Sequence, residues 1–280
     1  MEMIERHIKT KDYLTKSNLP ASDYVINPYV GCPHACKYCY ARFMKRFTGH
    51  TEEWGTFIDI KECDKPVNLK RLQGKSVFIS SVTDCYNQYE KKYCITRNIL
   101  EQLINVDCHI TISTKSDLIL RDIDILRKIP NLTVAFSLNT LDEKFRKDMD
   151  NASTIENRLH AIKKLHEAGI DTVLFISPIF PYITDWKKII ENTRNIVNEY
   201  WFENLNLRGS YKQMILAYID SNYCNLSKEY RKIFVQKDNT YWDNLANSIK
   251  EYCDDMNLNY SNYFYHNKLV KEKMGQINVP

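Results

Sequence analysis

Between Tyr24 and Arg208, short apolar, β-branched runs alternate with stretches of helical periodicity, and this alternation narrows the fold more than any other feature of the chain. Six runs read as strands: YVINPYV from Tyr24, VFISS from Val77, HITIST from His109, LTVAFSL from Leu132, TVLFISPI from Thr172 and ENLNLR from Glu203. Each is short and apolar enough to lie buried in a parallel sheet. Between them, Ile155, Leu159, Ile162 and Leu165 fall on one face of a helix running to Ala168, and Gly169 follows as a left-handed cap. Ile119, Ile123, Leu126 and Ile129 repeat the pattern until Pro130 stops it, and Ile95, Ile99, Leu103 and Ile104 mark a third helix. Six strands alternating with helices predict an α/β fold, a partial (β/α)6 TIM-like barrel of parallel strands. A doubly wound sheet is the alternative, but no Gly-x-Gly-x-x-Gly follows the first strand.

The region from Tyr200 onward differs. It holds ten of the nineteen tyrosines and many asparagines. Two helices, 227–236 and 241–256, precede a last Tyr-rich segment. The chain is expected to divide into a barrel core with its lead-in, 1–210, and a C-terminal helical extension, 211–280, that caps one end of the barrel. A surface extension that only packs is the other reading. At 280 residues, 44% hydrophobic and 26% charged, the chain is long enough to bury a sizeable core. A net charge of +4 allows an anionic partner without requiring one. No apolar run reaches the ~18 residues of a membrane span. The first residues, MEMIERHIKTKDYL, are too polar for a signal peptide, so a cytoplasmic location and no membrane are expected.

A reducing compartment changes what nine cysteines mean, since disulfides are rare there. Six of them, at 63, 85, 94, 108, 224 and 253, are scattered and read mostly as small buried hydrophobes. The other three, Cys32, Cys36 and Cys39, sit in NPYVGCPHACKYCYARF, on the loop after the first strand. A structural zinc site wants four ligands. His34, squeezed between two of the cysteines, is better suited to bonding backbone than to reaching the same metal. Four-iron clusters also usually take four cysteines, so three leave one iron without a protein ligand. An open metal position is where a substrate or cofactor binds. The spacing Cys-x3-Cys-x2-Cys therefore suggests a cluster that does chemistry. A zinc site, or a cluster that only senses or passes electrons, is the competing class.

The stretch CPHACKYC resembles the signature of the radical S-adenosylmethionine (SAM) superfamily, Cys-x3-Cys-x-aromatic-Cys, with Tyr38 as the aromatic. Its setting, SDYVINPYVGCPHACKYCYARF, resembles the branch related to spore photoproduct lyase. The resemblance runs from about Ser22 to Trp186. It includes SSVTDCYNQYE, Thr114 and Lys115 after the third strand, Ser137 to Asn139 at the end of the fourth, Arg158 in NRLHAIKKLHEAGI, and SPIFPYITDW. These segments all follow strand C-termini, where a parallel barrel puts its active site.

The resemblance implies that Cys32, Cys36 and Cys39 hold a [4Fe–4S] cluster whose fourth iron is chelated by S-adenosylmethionine. It implies one-electron reduction by an external donor of flavodoxin or ferredoxin type, release of a 5′-deoxyadenosyl radical, and hydrogen abstraction from an unidentified substrate. By residue type, Lys115, Ser137 and Arg158 suit the cofactor carboxylate and Asn139 the ribose hydroxyls. Tyr38 and the strand end from Ile176 to Pro178 suit the adenine, and Asp84 the cofactor's amino group or the substrate. Arg158 could instead pair with Glu156 or Glu167 on the helix surface. Tyr40 is a candidate catalytic side chain or a residue packed beneath the loop.

Lyase chemistry also needs a cysteine that returns a hydrogen atom, and Ser81 stands at that position. This departure counts against dimer repair, with Cys85 the candidate substitute donor. Lys37, Arg42, Lys45 and Arg46, interleaved with Phe43 and Phe47, suit a nucleic acid, or else form the solvated face of a short amphipathic helix. FMKRFTGHTEEWG resembles paired radical enzymes carried on mobile elements, which would imply a second radical protein as partner.

Overall fold

The computed structural model of the protein describes residues 3–264. Its main sheet has eight strands in the order β11-β10-β9-β8-β7-β6-β3-β2. Six of them are the expected parallel run: β3 (Tyr24–Ile26), β6 (Lys75–Ile79), β7 (Cys108–Thr114), β8 (Leu132–Ser137), β9 (Asp171–Ile179) and β10 (Glu199–Asn204). The edges are β2 (Leu14–Lys16), antiparallel to β3, and β11 (Tyr260–Asn262), parallel to β10. Among the described residues β2 and β11 do not pair, so the barrel stays open, as a partial TIM-like fold requires.

Two strand expectations need correction. The run YVINPYV is not one strand. It breaks at Asn27 and Pro28, and Tyr29–Val30 forms β4 of a second sheet, because Pro28 has no N–H to give a ladder. The last strand begins four residues before Glu203, at Glu199, since Tyr200 and Phe202 supply the buried side of its alternation.

The second sheet, β1-β5-β4, joins β1 (Ile4–Lys9), β5 (Phe57–Glu62) and β4. Sequence periodicity missed it. Nearly all of β1 is exposed, and β5 carries Asp59 buried among its apolar residues, where His50 Nε2 bonds it at 2.8 Å.

The helices are α1 (Glu90–Tyr93), α2 (Ile95–Leu103), α3 (Ile123–Leu126), α4 (Glu143–Met149), α5 (Ile155–Glu167), α6 (Trp186–Thr193), α7 (Gly209–Asn222), α8 (Ser227–Phe234) and α9 (Thr240–Asp255). Helix α5 follows its expected course: Thr154 caps its first turn by accepting from the Asn157 N–H at 3.2 Å, and Gly169 ends it at φ +77°. The helices expected near 227–236 and 241–256 correspond to α8 and α9, whereas α7 was not anticipated. Nor is the C-terminal region only helical, since it adds the edge strand β11. The main hydrophobic core runs on across residue 210, taking in Ile215, Trp242 and Phe264. The remainder of the Tyr-rich segment, from residue 265, lies outside the described residues.

Along the sheet, side chains alternate between two faces. Ile112, Phe136, Leu174, Ile176, Tyr200 and Phe202 are at most 2% exposed and lie under the helices. There Trp186 of α6 meets Phe202 edge-on at 6.2 Å, and Thr193 bonds the Tyr200 hydroxyl at 3.0 Å. The opposite face lines the barrel. Ser137, Phe175, Trp201 and Ser261 are register partners across it, and Phe175, Trp201 and Glu203 are only half-buried. No helix among the described residues is long and apolar enough to cross a membrane.

Candidate functional site

The three clustered cysteines hang on a loop that the smaller sheet holds from beneath. Strand β4 leads directly into Gly31, whose φ is +84°. A Cβ there would lie 2.4 Å from the Phe57 carbonyl of β5, so only glycine permits this approach. Gly55 leaves room in the same way for Ala35. The Thr83 hydroxyl donates to the Gly31 carbonyl at 2.6 Å. Within the loop, Ala35 N–H donates to the Cys32 carbonyl and Cys39 N–H to that of Cys36, both at 3.1 Å. The far side is tied to the C-terminal end of α4 and the turn after it: Lys37 N–H donates to Met149 O at 2.9 Å, and Asn151 N–H to His34 O at 2.8 Å.

All three cysteines are free thiols. Burial, together with Cys36, Asp84 and Cys39, raises the Cys32 thiol well above its ordinary range. Cys36 is pushed up to about 12 by burial and by Asp150, and Cys39 is raised by burial. Such thiols ionise when a cation arrives to take the charge, which is the donor chemistry of an iron–sulfur or zinc site. Among the described residues no three His, Cys, Asp or Glu side chains converge on one ion. A four-iron cluster asks for no such convergence, because each thiolate takes a different iron.

Two buried networks flank the loop. In the first, Asp84 accepts from the Thr114 hydroxyl, the Lys115 N–H and the Tyr86 N–H at 2.8–2.9 Å, and His34 Nδ1 lies 3.3 Å from it. Burial alone would raise this carboxyl, but His34, Lys115 N–H and Thr114 outweigh it and hold it below the usual carboxylate range. His34 thus departs from expectation: its ring pairs with Asp84, and only its carbonyl engages backbone. In the second network Asp150 accepts from Arg158 Nη2 at 2.6 Å and from the Tyr38 hydroxyl at 3.1 Å. Arg158 Nε also donates to the Ser153 carbonyl at 2.8 Å. The surface pairing of Arg158 with Glu156 or Glu167 is therefore wrong, since the guanidinium is wholly buried. Asp150 escaped sequence reading. The available signal was Arg158 itself, which falls on the buried stripe of α5 with Ile155, Ile162 and Leu165 and so demands a nearby acid.

The other expected residues gather at the C-terminal ends of the parallel strands. The Lys115 ammonium sits 5.8 Å from the centre of the Tyr38 ring. Ser137 and Asn139 are buried at the end of β8, and Asn139 Nδ2 donates to the Pro178 carbonyl at 3.2 Å. Ile176 is fully buried, and its side chain belongs to the helix-covered face. Tyr40 is 52% exposed rather than packed beneath the loop, and its hydroxyl bonds the Ser81 carbonyl. The Ser81 hydroxyl accepts from Asn27 at 2.9 Å.

Cys85 has no exposed surface and lies in the main core, so the structure gives it the place of a core residue rather than that of a donor facing the barrel. Of the scattered cysteines, Cys85, Cys108 and Cys253 are buried, but Cys224 is exposed. The basic segment after Cys39 is a 3-10 helix, Tyr40–Phe47, with Phe43 and Phe47 44% and 67% exposed. Its solvent face is aromatic as well as cationic, with Arg46 over both Phe43 and Phe47 at 5.6 and 4.7 Å.

An uncharacterized protein of Methanocaldococcus jannaschii is 38% identical over 248 residues, covering 87% of this chain and 92% of that protein. One from Acidianus two-tailed virus is 31% identical over 219 residues, covering 71% of each chain. Among solved structures, spore photoproduct lyase complexed with dinucleoside spore photoproduct matches with a TM-score of 0.55 at 16% identity, over 78% of this chain and 66% of that one. SuiB of Streptococcus suis bound to precursor peptide SuiA matches with a TM-score of 0.57 at 18% identity, over 91% of this chain and about half, 51%, of its own length. Both show the same fold. Residues 26–192, which carry the cysteine loop, both buried networks and the strand ends around them, match the radical SAM superfamily, and the chain is a radical SAM enzyme.

Proposed function

We propose that this protein reductively cleaves S-adenosylmethionine at a [4Fe–4S] cluster on Cys32, Cys36 and Cys39 and uses the radical to take a hydrogen atom from a substrate held in the open barrel. When bound, the cluster and S-adenosylmethionine together supply a 5′-deoxyadenosyl radical. The observation that carries the reading is the juxtaposition of three free thiols, Cys36 buried and Cys32 and Cys39 partly so, with a row of polar groups at the strand ends: Lys115, Ser137 and Asn139. A site that only sensed redox state would have no use for that row.

In this reading Lys115 and the Ser137 hydroxyl bind the cofactor carboxylate. Asn139 takes the ribose, with its carboxamide already oriented by Pro178. Arg158, committed to Asp150 and Ser153, acts by positioning Tyr38 and the end of β8 rather than by direct contact. Asp84 likewise positions Lys115 and His34. The backbone from Ile176 to Pro178, not the Ile176 side chain, meets the adenine. Half-buried Phe175, Trp201 and Glu203 line the substrate chamber, which the β2 and β11 edges leave open. A donor of flavodoxin or ferredoxin type supplies the electron.

A nucleic acid is the second reading for the substrate. The exposed Tyr40, Phe43 and Phe47 with Arg46 form a stacking surface beside the loop, and the structurally similar lyase binds a dinucleoside. Dimer repair itself is not part of the proposal, because Ser81 replaces the needed thiol and Cys85 is enclosed.

The test is anaerobic reconstitution followed by S-adenosylmethionine and dithionite, with 5′-deoxyadenosine as the readout and Cys36→Ala as control. Nucleoside from the wild type alone supports the reading. A four-iron cluster that leaves S-adenosylmethionine intact would point to a sensing module, and stoichiometric zinc would sink the mechanism. Adding single-stranded DNA, RNA or small molecules and following nucleoside release then screens for the substrate.

A further inference from the structure

The three cysteines sit in unlike surroundings, and Cys39 differs most. Cys32 is influenced chiefly by burial, the other two thiols and Asp84. Cys39 lies against the satellite cluster of Ala41, Trp54 and Phe57. Trp54 is 5% exposed, and its indole Nε1–H has no hydrogen-bond partner. The Nε–H of Arg42, three residues beyond Cys39, is also buried without a partner. Native proteins rarely leave buried donors unpaired, because each costs about 1–3 kcal/mol.

Trp54 is held firmly in place: its ring meets Phe57 edge-on at 5.7 Å, and Phe57 stacks on His50 at 3.8 Å. The Cys39 thiol, raised by burial, is drawn back by the Ala41 N–H, the Lys115 charge, the Trp54 indole and the Arg42 charge. A neutral thiol accepts poorly, and a sulfur carrying the charge of a cluster ligand accepts well.

We propose that the Trp54 Nε1–H donates to the Cys39 sulfur once that sulfur ligates the cluster, and that with the Arg42 charge beside it this bond sets the cluster's reduction potential. The inference rests on the cluster assigned under the proposed function. Adding one electron to the oxidised cluster increases the negative charge on its sulfurs. A donor at Cys39 stabilises the reduced form more than the oxidised form and moves the potential in the positive direction. The electron comes from an external one-electron reductant, and no bond to the protein is broken. Trp54 is thus a positioning residue of the cluster and does not touch the substrate.

The first experiment needs no variant. Protein labelled with 15N at the indole nitrogen of tryptophan is reconstituted, reduced and studied by pulsed electron paramagnetic resonance. A 15N coupling to the reduced cluster is expected, and it should vanish in Trp54→Phe. Dye-mediated titration should then show the reduced-to-oxidised ratio of Trp54→Phe falling about tenfold at a fixed poise, equal to a shift of about 59 mV to more negative potential for a one-electron couple. Iron and sulfide content should be unchanged. A cluster without the coupling overturns the inference and leaves the proposed function standing, as does an unshifted potential in a fully loaded Trp54→Phe. Failure of the wild type to assemble any cluster overturns both.

Discussion

The two faces of the main sheet are built from the same strands yet obey different rules. The helix-covered face is almost continuously apolar, with Ile112, Phe136, Leu174 and Phe202 at most 1% exposed. The face lining the barrel mixes Ser137, Phe175, Ser177, Trp201 and Glu203, and Ser177 donates to Glu203 at 2.5 Å. Packing sets the first face and leaves few choices of residue type. The second keeps polar groups where packing alone would prefer apolar ones, and that cost is the mark of a site.

The largest effect tests the barrel-lining side at its rim. Cys36→Ala should abolish the absorbance of the reconstituted cluster and bring 5′-deoxyadenosine formation to background, while leaving the far-ultraviolet circular dichroism intact. Next is the seam between the faces. Arg158→Ala removes the nearest cation of the buried Asp150 carboxylate, leaving it Arg146 at 3.9 Å and the Tyr38 hydroxyl, and should cost about 3–5 kcal/mol in chemical denaturation. If the loss is below about 1 kcal/mol, Asp150 is solvated and the seam is not dry.

The comparison itself is sharpened by a pair of identical truncations. Phe136→Ala, under the helices, should cost about 3–5 kcal/mol. Phe175→Ala, on the barrel side, should cost about 1 kcal/mol and instead alter substrate-dependent turnover. Equal losses would mean that the two faces do not differ.

The smallest effect is a pH dependence. Asp84 is held below the ordinary carboxylate value of about 3.9. Its contribution to stability is therefore complete above that value and lost as the pH falls through the depressed folded value. As the pH falls below about 4, Asp84→Asn should flatten part of the decline in the urea midpoint. An unchanged slope would show that another group carries it.

Much of this was legible in the sequence, for reasons that differ by region. The parallel strands announced themselves because β-branched runs such as HITIST are needed where a strand is buried. The cysteine loop was legible because three thiols at that spacing have few other uses. The smaller sheet was not, since β1 contributes exposed, charged residues with no periodicity that hydrophobicity can detect. Asp150 and Trp54 were hidden for another reason. Each matters through a partner distant in sequence, Asp150 through Tyr38 and Trp54 through its place against Cys39, and only the fold brings the partners together.

The smaller sheet has a consequence for anyone who would transplant this loop. Gly31 fits only because the Phe57 carbonyl is where β5 puts it, and Ala35 fits only because Gly55 has no side chain. The cysteine motif is therefore not a portable cassette. Grafted alone onto another open barrel, CPHACKYC would carry its ligands but not its mounting bracket. The smallest transferable unit is the loop together with β1, β4 and β5, a module stitched from two separate stretches of the chain.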